Sequence, residues 1–417
     1  MNRISAMWLI VIGLQGCAAF EPPAPSDDSL LDGPISGLSG EENRRFLAGD
    51  VAFNDEVFTR STGLGPIFVA TSCGTCHAGD GKGHPFSALT RFGQTDSTGN
   101  QFLDQGGPQL QHLAIPGFQP EQLPAGATSS LFIPPANTGL GYLEAVSDAD
   151  ILAMADPLDI NGDGISGVPN YIEMPAFVRP AANAIPRGGK YIGRFGRKAA
   201  AYNLLNQTVN AYYQDMGIAS EYFPVDILTN QACDPEVSMQ TMSDLVFYLQ
   251  TLKAPIQRSP SDAVVGTGKQ LFIQIGCEAC HRANLQTSVS DISALSQVSF
   301  SPYTDLLLHD MGSGLDDGYT EGTALTSEWR TTPLWGLGLS ADSQGGTLYL
   351  MHDGRARSIR EAIELHGGEA AGSKDRFLQL SDTEKDAVIT FLNSLLYLCV
   401  RYHSRQNHFS KAAVLHV

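Results

Sequence analysis

The sequence repeats one short pattern, and that repetition limits what the chain can become more than any other feature. SCGTCHAGDG occupies residues 72–81 and GCEACH residues 276–281, so Cys-x-x-Cys-His occurs twice. Three chemistries use cysteines at this spacing. A thioredoxin-like redox pair places them at a helix start after a strand. A zinc site needs four ligands, often from two such pairs. A c-type haem site uses both sulfurs as thioether anchors and the adjacent histidine as the iron ligand. Residues i and i+3 share a helical face, so both sulfurs reach one haem edge and the imidazole follows them. The flanks favour this third chemistry. GTGKQLFIQIG precedes the second copy, with Leu271, Phe272 and Ile275 at helical spacing, and predicts an amphipathic helix running into the motif. A Gly-rich stretch, AGDGKGHP, leaves the first copy. The expectation is two covalently bound c-type haems, one on Cys73, Cys76 and His77 and one on Cys277, Cys280 and His281. Zinc or a disulfide is the alternative.

Haem attachment of this kind requires export, and the N-terminus supplies a signal for it. Arg3 precedes MWLIVIGL, an apolar run too short to span a bilayer, which ends in Leu14-Gln15-Gly16-Cys17. That ending is like a bacterial lipobox. Residues 1–16 are expected to be a lipoprotein signal peptide and Cys17 the lipidated first residue of the mature chain. Residues 17–42, with EPPAPSDDSLLDGP, read as a disordered tether. The location implied is the periplasm, with a lipid anchor in the inner or outer membrane. Of seven cysteines, Cys17 carries lipid and four carry haem. Cys233 and Cys399 remain, as a pair or as separate thiols.

The net charge is −18, and −19 once Arg3 leaves with residues 1–16. Such a chain is unsuited to nucleic acid. It suits a small basic electron-transfer partner. Gly is abundant, at 43 of 417 residues, and charged residues make up only 17%. That composition fits loops wrapped around large apolar cofactors.

Two further segments resemble each other. VSMQTMSDLVFYLQTL spans 237–252 and LSDTEKDAVITFLNSL spans 380–395. Both open with an apolar residue and Ser, continue with apolar residues at helical spacing, and end Leu-polar-polar-Leu. Ser381 with Glu384 forms a capping-box pattern. The predicted fold is mainly α: two cytochrome c-like domains with long irregular loops, at 43–258 and 259–396, followed by a tail at 397–417. From His77 to Leu252 is 175 residues, against 114 from His281 to Leu395, so the first domain carries about 61 more. An insertion at about 156–217 accounts for them. It opens DPLDINGDGISG, where Asp159, Asn161 and Asp163 alternate before Gly164, and Ile165 offers a carbonyl. That is the ligand pattern of an EF-hand loop for calcium, although Asn170 stands where the bidentate Glu belongs. An Asx/Gly-rich turn without metal is the alternative.

The chain resembles the bacterial di-haem oxidoreductases of the peroxidase type, including thiol oxidoreductase-like members, which are distant relatives of di-haem cytochrome c peroxidase and of MauG. The matching stretches are DEVFTRSTGLGPIFVATSCGTCH, GLGYLEAVSDADILAMADP, DINGDGISGVPNY, GRFGRKA, RTTPLWGLG and HDGRARSIREAIELHGGEA, together covering about residues 50 to 396. The resemblance implies one haem that meets peroxide and another that feeds it electrons. It places His366, in EAIELHGGEA, as the sixth ligand opposite His281, with His352 as the rival. It gives Arg355 a haem propionate, and Glu144 the proton transfer that peroxide cleavage needs. His84 and His112 are candidates to cap the first iron at rest. Arg194, Arg197 and Lys198 in GRFGRKA are candidate propionate partners. Relatives often carry an aromatic at the position of Arg197, so an inter-haem route here would use Tyr191, Phe195 or Trp335.

Three functions follow from this reading. The first is reduction of hydrogen peroxide, a small-molecule oxidant, with electrons from a small cytochrome c or cupredoxin. The second is a MauG-like oxidation of a protein or organic substrate. The third is electron transfer without catalysis.

Overall fold

A computed structural model of the chain describes residues 33–255 and 257–395. The expectations for residues 1–16, Cys17, Cys399 and the tail at 397–417 lie outside the described residues. Six helices position the two motifs: α1 (Gly40–Asp50), α2 (Leu204–Asn210), α3 (Met239–Thr251), α4 (Ala263–Gln274), α5 (Ile359–Glu364) and α6 (Asp382–Ser394). The strands are short and form five two-stranded antiparallel ribbons among the described residues. The chain is helix-rich with a few small sheets.

Local chemistry sets the helix starts. Ser39 accepts from the Glu42 amide at 3.2 Å and Glu42 returns the bond to the Ser39 amide at 2.7 Å, a reciprocal box that opens α1. Ser238 caps α3 by accepting from the Thr241 amide at 3.0 Å, and Ser381 with Glu384 opens α6 with a second reciprocal box. Asp262 caps α4. The end of the expected tether is already ordered: Pro34 bridges Leu252 and Ile35 is buried, because its amide bonds Thr251 O at 2.8 Å.

Two helix pairs share one construction. α1 packs on α3 and α4 packs on α6. A Cβ on Gly49 would lie 2.2 Å from Asp244 O, and one on Gly268 would lie 2.0 Å from Ala387 O, so only glycine permits either crossing. Asp244 and Ala387 each stand six residues after their capping serines, Ser238 and Ser381. Four residues beyond each glycine comes a phenylalanine. Phe53 lies 5.6 Å from Tyr248 and 6.0 Å from His77, and Phe272 lies 5.4 Å from Phe391 and 6.3 Å from His281. Each pair therefore seats its own motif histidine on an aromatic ring.

The halves interlock more than a boundary at 258 suggests. Leu285, Leu306, Leu307 and Trp335 belong to the same core as Phe46, Leu245 and Tyr248. Phe132 joins Leu315, Tyr319 and Trp329 in a smaller cluster. The 156–217 segment is stitched across as well, by the bridge of Val168 to Leu308. It ends in α2, which runs into a π-helical turn at Ala211–Asp215.

Gly268→Ala is expected to cost about 1–3 kcal/mol, as overpacking of a tight crossing does. Thermal unfolding reads it, and an unchanged midpoint would mean that α4 and α6 tolerate a wider crossing.

Candidate haem sites

Cys277, Cys280 and His281 line a cavity of about 220 Å³, which Phe272 from α4 and Leu392 from α6 help to close. His366, just beyond α5, lines the same space. His281 Nδ1 lies 3.0 Å from Tyr303 O and His366 Nδ1 lies 2.7 Å from Ala362 O. A carbonyl only accepts, so each Nδ1 carries the proton and each Nε2 keeps its lone pair for a metal. Burial, and then the neighbouring His366, pushes His281 down to about 4. Burial lowers His366 too. Both are neutral imidazoles at pH 7, the form that ligates.

His352 also lines this cavity, but its Nε2 is held by Asp317 at 2.6 Å while its ring stacks on Trp329 at 3.7 Å. Arg355 lines neither cavity. It is tied to Asp353 at 2.7 Å and to Gly314 O at 2.9 Å, which corrects its expected part as a propionate partner.

Cys73, Cys76 and His77 line another cavity, of about 210 Å³, which is the first in chain order, the His281 cavity being the second. Ser72 starts their one-turn helix by accepting from the Thr75 amide at 3.2 Å. Burial pushes His77 down to about 4 against the pull of the Gly81 and Pro135 carbonyls. Among the described residues no other histidine lines this cavity. His84 accepts from the Phe86 amide and packs on Tyr349, and His112 is exposed. Glu144 is a second correction. Its carboxylate accepts from the Leu204 amide at 2.6 Å and from Gln250 at 2.7 Å, and it lines neither cavity. Those bonds make it the anchor that fixes the start of α2 against α3. Thr208, Tyr212 and Asp215 line the space instead, all from the 156–217 segment, where no motif marked them.

One wall serves both cavities. Lys82, Ile133, Arg197, Arg330, Thr332 and Pro333 line each of them. The three cations are buried, and among the described residues none is ion-paired. Arg197 donates to Ile133 O at 2.9 and 2.7 Å and Arg330 to Gly196 O at 2.9 Å. Burial, and then mutual repulsion, pushes Lys82 down to about 7 and Arg197 to about 9. Unpaired buried cations are costly, and they call for anions. Haem propionates at two adjacent Cys-x-x-Cys-His motifs meet that need, so the residues present fit the group. Of GRFGRKA only Arg197 serves. Arg194 is bound to Asp148 at 2.5 Å, and Lys198 to the carbonyls of Leu325, Thr326 and Glu328. No aromatic stands in the shared wall: Phe195 and Trp335 face the first cavity, Trp329 the second, and Tyr191 neither.

Two metal alternatives are placed by the same geometry. The cysteine pairs open into different cavities, so they do not form one four-sulfur zinc site. The oxygens of the expected calcium loop accept from the loop's own amides: Gly164 N bonds Asp159, Asp163 N bonds Asn161, and Ile165 N bonds Asp163. Asn170 turns away to Lys198 O at 2.6 Å, and Ile165 lines the His281 cavity. These are successive Asx turns.

Cys280, Asp305 and His309 do gather within 4.8 Å. His309 is clamped there by Asp305 at 2.9 Å and Glu369 at 2.6 Å, which hold it charged, up to about 12 against the opposing effect of burial. A raised histidine contributes its full stability below about 6.5 and loses it as pH climbs toward 12. His309→Gln is expected to cost about 3–5 kcal/mol at neutral pH by leaving two carboxylates uncompensated. A thermal midpoint unchanged at pH 7 would contradict the clamp.

Comparison with known proteins adds the family. A family model described as "Di-haem oxidoreductase, putative peroxidase" matches residues 132–395. No curated protein matches the sequence significantly. Among solved structures, the Kuenenia stuttgartiensis hydrazine synthase pressurised with 20 bar xenon is similar at 14% identity and a TM-score of 0.38, over 93% of this chain and 100% of that one. A MauG-like protein associated with microbial copper homeostasis is similar at 12% identity and a TM-score of 0.39, over 87% of this chain and 92% of that one. With two cavities built around Cys-x-x-Cys-His and a family match over most of its length, the chain belongs to the di-haem oxidoreductase family.

Proposed function

We propose that the chain reduces hydrogen peroxide in the His77 cavity, with electrons entering through the His281 cavity from a small cytochrome c or cupredoxin. We place it in the periplasm, anchored through a lipid on Cys17, with two covalently attached c-type haems. The observation that carries this reading is the asymmetry of the two cavities. His281 and His366 both turn a free Nε2 into one space, whereas His77 is the only histidine in the other among the described residues. One centre is built to be closed and to pass electrons, the other to leave a place for a ligand.

The bound haems supply the redox chemistry that splits an O–O bond. The chain's own residues do the rest. Both cysteine pairs would anchor a haem, and His281 with His366 would hold the second one at a lower potential than a His/Met pair would. Lys82, Arg197 and Arg330 neutralise carboxylates between the two. The apolar walls exclude water, which strengthens every charge interaction inside. In net terms one peroxide takes two electrons from the donor and two protons from solvent, its O–O bond breaks, and two waters leave.

The test is peroxide consumption by the full chain with a reduced small cytochrome c as donor. Turnover in the intact protein, with loss in Cys73→Ala/Cys76→Ala, is expected. Failure to consume peroxide, with oxygen-dependent oxidation of a partner protein instead, would favour the MauG-like alternative.

A further inference from the structure

The polar face of α2 and the π-turn that follows it has no part in the chemistry assigned so far. Thr208, Tyr212 and Asp215 stand at i, i+4 and i+7 along this segment, so they share one face. All three line the cavity that His77, Cys73 and Cys76 line. Tyr212 Oη and Thr208 Oγ1 are buried and make no hydrogen bond, although their residues are 1% and 4% exposed. A buried donor left unsatisfied costs about 1–3 kcal/mol, and native structures rarely keep one without a use. Six such side-chain atoms occur among the described residues, and two of them, Thr208 Oγ1 and Tyr212 Oη, belong to residues that line this one cavity. π-helical turns are rare and concentrate at functional sites.

Asp215 completes the set. Its main-chain carbonyl accepts from Val69 N at 2.7 Å and Ala70 N at 3.0 Å, which ties the turn to the segment leading into Cys73. Its carboxylate accepts from Gln109 Nε2 at 2.6 Å. The charged groups that face it are Arg91 and the thiols of Cys73 and Cys76, which become thioethers once haem is attached. Arg91 is committed elsewhere, to Glu321 at 2.5 Å and Gln214 at 2.7 Å. Asp215 is therefore free to exchange a proton. Burial lifts its carboxyl to about 6, close to the working range of a general acid–base.

We propose that Thr208, Tyr212 and Asp215 form the receptor for a small oxygen-bearing ligand in the first cavity, with Asp215 as the group that moves its proton. The proposal rests on the peroxide reading and assigns its acid–base residue. The two hydroxyls hold the ligand. The Asp215 carboxylate takes a proton from one peroxide oxygen and delivers it to the other as the O–O bond breaks. The electrons come from the donor protein, and Asp215 ends as it began.

Cyanide separates this role from turnover. Hydrogen cyanide would bind the haem held by His77 as its anion, so its proton must pass to a base in the cavity. In the haem-loaded full chain, association is expected to slow as pH falls through about 6, where Asp215 becomes protonated. Asp215→Asn should keep the haem content and visible spectrum and slow cyanide association by about 10²-fold, the lower end of a general acid–base contribution, with the pH dependence gone. Asp215→Glu should restore both. Tyr212→Phe should weaken the equilibrium affinity. An Asp215→Asn protein with full haem content and an unchanged rate and pH profile would overturn the assignment, as would a wild type that binds no cyanide. A wild type that shows the profile but consumes no peroxide supports Asp215 and sinks only the peroxide reading.

Discussion

Three buried cations, none of them ion-paired among the described residues, set the terms for this molecule. Lys82, Arg197 and Arg330 stand in the one wall that the two cavities share, and their neighbours there are carbonyls, an isoleucine, a threonine and a proline. A protein interior does not hold such a cluster for packing. The arrangement fits anions that would arrive with a cofactor, so folding and cofactor uptake meet in the same few side chains. Helices α1, α3, α4 and α6 then act as two frames that bring a Cys-x-x-Cys-His motif to either side of that wall.

The frames are alike and the cavities are not. Gly49 and Gly268 permit the same close crossing, and Phe53 and Phe272 back the same histidine. Beyond that point the chain diverges. The second half places α5 so that His366 faces His281. The first half spends the 156–217 segment on α2 and its π-turn, which brings hydroxyls and a carboxylate to the corresponding space. The two holders are similar, and the unequal loops line them differently.

Much of this was legible in the sequence, where the signal was local. The Cys-x-x-Cys-His motifs, the capping box at Ser381 and the likeness of 237–252 to 380–395 each depend on residues a few positions apart. What was not legible depends on partners far away. Glu144 reads as an acid–base group until Leu204 and Gln250, 60 and 106 positions on, claim its oxygens. Arg355 reads as a free cation until the Gly314 carbonyl and Asp317, 41 and 38 positions back, take it together with its neighbour Asp353. Asp159, Asn161 and Asp163 fit a calcium loop and a run of Asx turns equally, since both want oxygens at alternate positions. Lys82 and Asp215 sit in no motif, and Arg330 opens RTTPLWGLG with nothing local to mark its role; they become a site only when distant segments converge.

The central claim is that one centre is closed and the other open. Low-temperature electron paramagnetic resonance on the oxidised, haem-loaded protein tests it most directly, repeated after half-reduction and addition of peroxide. The account predicts one low-spin bis-histidine signal beside one high-spin signal, with peroxide consuming the high-spin species. Two low-spin signals, unmoved by reduction or by peroxide, would contradict it.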